Sequence, residues 1–456
     1  MRRRPAITPR EVALDVIRAV SEDDAYANLL LPTRLRRARL QGSDAGFATE
    51  LTYGTLRRRG YYDRVIEVAS GRALTAIDPA ARDILRLGVH QLLGMATATH
   101  AAVSETVALT RWAGVTRATG FVNAVLRRVS EADEETWTQR LLAGVTDELE
   151  RLALEHAHPV WVVQAMRDSL AREGRVQELD ELLVADNVPP RVMLVALPGL
   201  ADTDELGEAS RFAPTAVVSA AGDPGAHPLV ASGRVRVQDE GSQLAALVVS
   251  RFRPIVAGER WLDLCAGPGG KAALLAAEAR LGGAHLVANE LVPARAGLVR
   301  SALQAVDATV EVRTGDARDA GADEPGRYDR ILLDAPCTGL GALRRRAEAR
   351  WRKTAADIAP LATLQSELLR SAVAALAPGG ILAYVTCSPH VAETTAIVDA
   401  LLAEHPTTVM PLDARAALAR ITRTPLDLGE LQHGAVQLWP HRHGTDAMFI
   451  QLLTRR

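Results

Sequence analysis

RWLDLCAGPGGK, residues 260–271, is a short apolar run that ends in a glycine-rich turn and continues into a helix-forming segment. A strand feeding a helix through such a turn opens a parallel α/β sheet, and the turn lets backbone N–H groups approach a ligand closely. Its spacing is neither the GxGxxG of dinucleotide folds nor the GxxxxGK[ST] of a P-loop. Downstream, HLVANE (285–290), TVEVRTGD (309–316), DRILLDAPC (329–337) and GILAYVTC (380–387) are further apolar runs separated by helical stretches. The alternation predicts a doubly wound, Rossmann-like sheet with ligands at the carboxyl ends of its strands.

Every chemically interesting residue falls at such an end. The first turn carries Cys265, Ala266, Gly267, Pro268, Gly269, Gly270 and Lys271. The second run ends in Glu290, placed to accept from ribose hydroxyls, and the third in Gly315-Asp316, placed beside an adenine amino group. A glycine turn with these two acids points to S-adenosylmethionine rather than a nicotinamide. The fourth run ends in Asp334-Ala335-Pro336-Cys337 and the fifth in Thr386-Cys387-Ser388, so neighbouring strands bring two thiols to one rim. Two thiols and Asp334 above a nucleotide-type cofactor suggest covalent catalysis on a pyrimidine. Carbon 5 of that ring is a poor nucleophile until a thiolate adds at carbon 6. A carboxyl near ring nitrogen 3 favours the addition, and a base must later remove the carbon 5 proton. Spacing does not choose between Cys337 and Cys387 as nucleophile.

The three cysteines lack CxxC or His-paired spacing, which argues against a disulfide framework or a zinc site, and no metal is expected. No apolar run is long enough for a membrane span, and MRRRPAITPREVAL lacks the apolar core of a signal peptide, so a cytoplasmic protein is expected. Charge is uneven: residues 1–130 hold 20 Arg against 12 Asp and Glu, residues 131–200 only 6 Arg against 14. A basic first module suits a polyanion. Its apolar residues recur at helical spacing, with Asp78-Pro79 as a helix start. Residues 131–155 read as a solvated acidic connector. RVMLVAL (191–197) reads as a strand of a small α+β module.

The first module resembles the NusB-type RNA-binding domain. The likeness is carried by Asp44, Phe47, Tyr53-Gly54-Thr55-Leu56-Arg57, Ile77-Asp78-Pro79, Arg82, the run Ile84 to Gly88, and GFVNAVLRR (120–128). DLCAGPGGK, LLDAPCTGLG and TCS resemble the motifs of the Sun-type (RsmB/Fmu) small-subunit ribosomal RNA cytosine-C5 methyltransferases. That resemblance implies a methyl transfer from S-adenosylmethionine to a cytidine of 16S ribosomal RNA. It makes Cys387 the nucleophile, Cys337 the group assisting breakdown of the adduct, and Asp334 the residue at the substrate base. Cys265 to Lys271, Glu290, Asp316 and Asp334 would line the cofactor site. A transfer-RNA or DNA cytosine methyltransferase, or an RNA-binding antitermination-type factor with a vestigial catalytic domain, are the rival readings.

Three positions depart from the family pattern: Thr394 after Glu393, Ala347 within RRRAEARWRK, and His158 before Pro159. Arg344, Arg345, Arg346, Arg350, Trp351 and Arg352 are expected to meet RNA phosphates and an unpaired base. His441 and His443 are expected to be structural or RNA-facing, within a closing hairpin that turns at Gly444 and Asp446. The expected domains are 1–135 (NusB-like, helical), 136–235 (acidic connector and α+β module) and 236–456 (methyltransferase). A monomer is the default expectation.

Overall fold

The helix Pro9–Glu22 starts where Thr8 and Glu11 close a capping box and Pro9 fills the first turn, a position that forfeits no helical hydrogen bond. Its stripe of Val12, Val16, Ile17 and Val20 is buried, and it packs on the helix Gly42–Arg57. The computed structural model describes residues 7–95, 97–220 and 222–456. The chain forms two compact units, Met1–Gln164 with Leu343–Lys353, and Ala165–Ala342 with Thr354–Arg456.

The first unit is helical. Asp78 caps the helix Pro79–Val89 by accepting from the amides of Ala80 and Ala81, as its sequence predicts. The acidic segment is not a solvated connector. Its helix Glu134–Leu142 turns Trp137 and Leu141 into the core of this unit, and the Trp137 indole donates to the Val129 carbonyl at 2.9 Å. The high acid content masked two inward-facing apolar residues one helical turn apart.

The arginine run also differs from expectation. Arg350 is fully buried and donates to the carbonyls of Arg57 and Ala157 at 3.1 and 3.0 Å. Trp351 donates to Leu56 at 2.9 Å, and Arg352 to Val20 at 3.0 Å. Arg57, Leu56 and Val20 lie in the last turns of their helices. Helix ends leave carbonyls unpaired and attract cations, so the run is a strap that satisfies helix C-termini. Arg344 is buried as well, and Arg346 stays exposed.

Gly60 shows how closely the strap fits: a Cβ there would lie 2.2 Å from the Trp351 ring. Gly60→Ala is therefore expected to lower stability by about 1–3 kcal/mol. In denaturant titrations, adding Trp351→Leu to that variant should cost less than adding it to wild type, because the two changes share one contact.

The second unit holds two sheets. A small antiparallel one is formed by β1 (Met193–Ala196), β2 (Ala216–Val218) and β3 (Val235–Val237), with β1 central. The large one contains β4 (Arg260–Asp263), β5 (His285–Glu290), β6 (Glu311–Thr314), β7 (Tyr328–Asp334), β8 (Leu376–Thr386), β9 (Val409–Leu412), β10 (Val436–Gln437) and β11 (Phe449–Arg455). Its order is β10-β11-β8-β7-β4-β5-β6, with β9 also on β11. The five strands from β6 to β8 run parallel, and β11 is antiparallel to β8 with Phe449 opposite Thr386.

Helices cover both faces, so β7 is apolar on each. Leu332 joins one core layer, while Ile331 and Leu333 join the other. The chain runs outward from β4 to β6 and restarts on the other side with β7. The order thus reverses between β4 and β7, where Asp263 and Asp334 end their strands.

The closing hairpin forms as expected, β10 pairing with β11 through a short helix and Gly444 at φ +68°. His443 is buried and accepts from the Trp439 amide at 2.8 Å; His441 lies 2.9 Å from Glu178. Both are structural. Among the described residues, no helix is long and apolar enough to cross a membrane, and no group of three His, Cys, Asp or Glu side chains could hold a metal.

Candidate active site

The glycine turn after β4 is shaped by two absent side chains. Gly269 takes φ +99°, and a Cβ there would press to 2.6 Å from Ala302 Cβ and 3.1 Å from Val299 Cα, on the helix Pro293–Leu303. At Gly267 a Cβ would fall 2.1 Å from the Glu290 carboxylate. That carboxylate accepts from the amides of Gly267 and Val292, both at 3.0 Å, and is buried. The β5 end is thus joined directly to the turn. Asn289 ties in the third strand end by donating to the carbonyls of Leu264 and Gly315 at 3.2 and 3.1 Å. Asp316 follows β6, where its carboxylate is taken by Arg318 at 2.6 Å, a bond that lowers its pKa.

Lys271 reaches from the first turn of its helix to Asp334 at 2.7 Å. Burial alone would lower the lysine pKa, but the charge and hydrogen bond of Asp334 outweigh it and hold the ammonium protonated. Asp263 is fully buried beside this pair, where the Cys265 backbone offers its carboxylate only weak hydrogen-bonding support. Burial, then the nearby Asp334 charge, push its pKa up to about 8, so near pH 7 it is mostly a neutral acid that can donate.

A carboxyl whose folded pKa lies above its unfolded value stabilises the protein fully only below the unfolded value. Stability is then lost as pH rises from about 4 towards about 8 and levels off above it. Asp263→Asn is expected to flatten that slope in ligand-free protein, as read from unfolding midpoints across this range.

The three cysteines separate by environment. The Cys265 thiol is pushed far above its usual pKa by burial and then by Asp263 and Asp334, which makes it inert packing at the turn. Cys337 and Cys387 meet, with Sγ atoms 3.5 Å apart. Their loops are held by backbone pairing: Asp334 lies opposite Val385, Ala335 donates to Val385 at 2.9 Å, and Gly341 donates to the Cys387 carbonyl at 2.8 Å. A side chain at Gly341 would meet the Ala447 carbonyl at 2.0 Å. Lys271 feels the charge of a Cys387 thiolate, whereas Cys337 faces Cys387, Glu393 and Asp334, and its thiol is raised. Lys271 thus places a cation in the field of Cys387, while the hydrogen bond to Cys387, then burial, then the Cys387, Glu393 and Asp334 charges keep Cys337 a thiol.

Family comparison agrees with this architecture. Residues 254–454 match the model of the 16S rRNA methyltransferase RsmB/F family, and residues 7–131 match the NusB family. A probable ribosomal RNA small subunit methyltransferase B of Bacillus subtilis is 30% identical, over 97% of each chain. The chain belongs to the RsmB/F methyltransferase family. The RsmB of Pseudomonas putida is 33% identical over 88% of this chain and 90% of its own. A putative methyltransferase of Mycobacterium tuberculosis is 47% identical over 100% of this chain and 98% of its own. Among solved structures, that of PH0851 superposes with a TM-score of 0.80, covering 99% of this chain and 100% of that one at 23% identity, and so shares the fold.

Within this RsmB/F fold the structure brings Lys271, Asp334, Cys337 and Cys387 to the switch point and fastens Glu290 to the glycine turn. Asp316 remains at the β6 end with Arg318. Sequence reading assigned no role to Asp263, Asn289, Gln365 or Glu393. For Asp263 and Asn289 the available signal was a polar residue inside an apolar strand, where burial demands a partner; Gln365, on a helix, and Glu393, in a turn, carried no such signal.

Proposed function

We propose that this RsmB/F enzyme methylates carbon 5 of a cytidine in 16S ribosomal RNA through a covalent adduct with Cys387. The observation that carries the reading is the contact of two thiols at the switch point, beside the Lys271–Asp334 pair. The relatives' names, small-subunit ribosomal RNA methyltransferases, support the RNA class.

The residues present fit S-adenosylmethionine. A turn with no room for side chains at Gly267 and Gly269 lets backbone approach the ligand, and Cys265 to Lys271 form that loop. Glu290 has lone pairs left for ribose hydroxyls, Asp316 would serve the adenine side, and Asp334 borders both cofactor and base. When bound, the cofactor supplies an electrophilic methyl group.

Cys387, facing the Lys271 cation, adds as thiolate to carbon 6 of the cytosine. A proton drawn from the Lys271 ammonium, 2.7 Å from Asp334, lets Asp334 donate at ring nitrogen 3 and neutralise the negative charge that the addition places on the ring. Carbon 5, made nucleophilic, takes the methyl. Cys337, poised at 3.5 Å and held as a thiol in its resting state, gives its proton to the departing Cys387 sulfur as the Cys387–carbon 6 bond breaks and, as the thiolate left behind, takes the carbon 5 proton, so that both cysteines finish as thiols. The target base must leave its stack for the ring to reach the thiols.

The test supplies 16S rRNA, mixed tRNA and duplex DNA separately with cofactor, followed by nucleoside mass spectrometry. Expected is 5-methylcytidine from the 16S arm alone. Product from tRNA and none from 16S contradicts the substrate; methylation at another atom contradicts the chemistry.

A further inference from the structure

The residue after each thiol is bound to a single buried carboxylate. Glu393, 0% exposed, sits in the short turn Val391–Glu393 beyond β8. One of its oxygens accepts from the Thr338 amide at 2.8 Å and the Gln365 side chain at 3.1 Å. The other accepts from the hydroxyls of Thr338 and Ser388 at 2.5 and 2.6 Å. Four donors fill the lone pairs of a carboxylate. Thr338 directly follows Cys337, and Ser388 directly follows Cys387. Gln365, from the helix Ile358–Ala375, also donates to the Pro336 carbonyl at 2.9 Å, and Tyr384 donates to the Glu393 carbonyl at 2.8 Å.

We propose that Glu393 is a positioning residue that holds the Cys337 and Cys387 loops within reach of each other, so that the proton-transfer step can follow the addition step. The proposal rests on the two-thiol reading above. The β7–β8 ladder ends at Asp334 and Val385; past it the loops share backbone bonds from Ala335 to Val385 and from Gly341 to Cys387, while Thr338 and Ser388, the residues next to the thiols, are joined through their side chains. The carboxylate bridges that stretch, reaching Thr338 from across 55 residues of sequence. Its charge also opposes ionisation of Cys337, in keeping with a thiol that carries a proton.

The test uses full-length protein as wild type, Glu393→Gln, Glu393→Ala and Thr338→Val. In Glu393→Gln the amide oxygen keeps both N–H donors, and its NH2 donates to the two hydroxyls, which can turn to accept. The first readout needs no RNA: the rate at which diamide oxidises Cys337 and Cys387 to a disulfide, by peptide mass spectrometry. Glu393→Gln should stay within about threefold of wild type, Glu393→Ala should slow about tenfold or more, and Thr338→Val should fall between.

The second readout is the ratio of covalent RNA adduct to released product on ordinary cytidine RNA. It should rise about tenfold in Glu393→Ala because breakdown, and not addition, loses its partner. A merely structural role lowers both species together and leaves the ratio unchanged. A folded Glu393→Ala with wild-type disulfide rate and ratio overturns the proposal, and so does a Glu393→Gln that behaves like Glu393→Ala. Should Glu393→Ala not fold, the isosteric Thr338→Val carries both readouts. Wild type that forms the disulfide but no adduct under any condition counts against the thiol-addition reading, and the disulfide rates then decide the clamp alone.

Discussion

Cys387→Ala is expected to lower kcat by about 10⁴-fold or more while cofactor affinity stays within about twofold of wild type. The size follows from chemistry. Without thiolate addition at carbon 6, carbon 5 lacks the electron density to displace a methyl group, and no neighbouring side chain substitutes. Cys337 lies 3.5 Å away, and its thiol is raised first by the hydrogen bond to Cys387, then by burial, then by the Glu393 and Asp334 charges; burial and those two charges persist in Cys387→Ala and resist a thiolate there. Cys265, in the glycine turn after β4, has its own thiol raised far above its usual pKa and is no better able to act. Single-turnover assays with saturating RNA, beside calorimetric titration of the cofactor, separate the two effects. A residual rate above about one hundredth of wild type would mean that Cys387 is not the nucleophile.

Asp334→Asn should lower the single-turnover rate by about 10²–10³-fold, because an amide can hydrogen-bond at ring nitrogen 3 but cannot pass a proton to it. The substitution keeps the shape of the side chain but removes the anion at 2.7 Å from Lys271. That lysine is nearly buried, at 11% side-chain exposure, so stability falls too. Asp334 itself is 27% exposed, which keeps the loss below the ~3–5 kcal/mol of a fully buried pair. Without the Asp334 charge, the Asp263 pKa falls as well, since that charge is the second cause of its elevation. An accompanying shift in the pH dependence of unfolding, absent from Cys387→Ala, would link the two carboxyls experimentally.

Much of this was legible before any coordinates. The glycine turn, the strand-end acids and both thiols announce themselves because strand–helix alternation places each at a carboxyl edge, and the fold leaves only one such edge. What stayed hidden depends on partners far apart in sequence. The strap at Arg350–Arg352 has the composition of a phosphate-reading surface; that its guanidinium groups instead cap Arg57 and Val20 depends on contacts spanning about 300 residues. Trp137 was lost among acids that face outward. Asp263 reads as an ordinary strand-end aspartate until burial and the neighbouring Asp334 charge raise its pKa. Glu393 looks like one more loop acid, and only the packing of Thr338, Ser388 and Gln365 around it gives it a role. Local pattern therefore located the residues that gather at the strand ends, and long-range burial decided their partners.

The central claim, thiol addition by Cys387, is tested most directly with 16S RNA in which cytidine is replaced by 5-fluorocytidine. Fluorine at carbon 5 cannot leave as a proton, so the adduct persists and shifts on a denaturing gel. Wild type and Cys337→Ala should both shift with cofactor present, and Cys387→Ala should not. A shift lost in Cys337→Ala but kept in Cys387→Ala would contradict the account and exchange the roles of the two thiols.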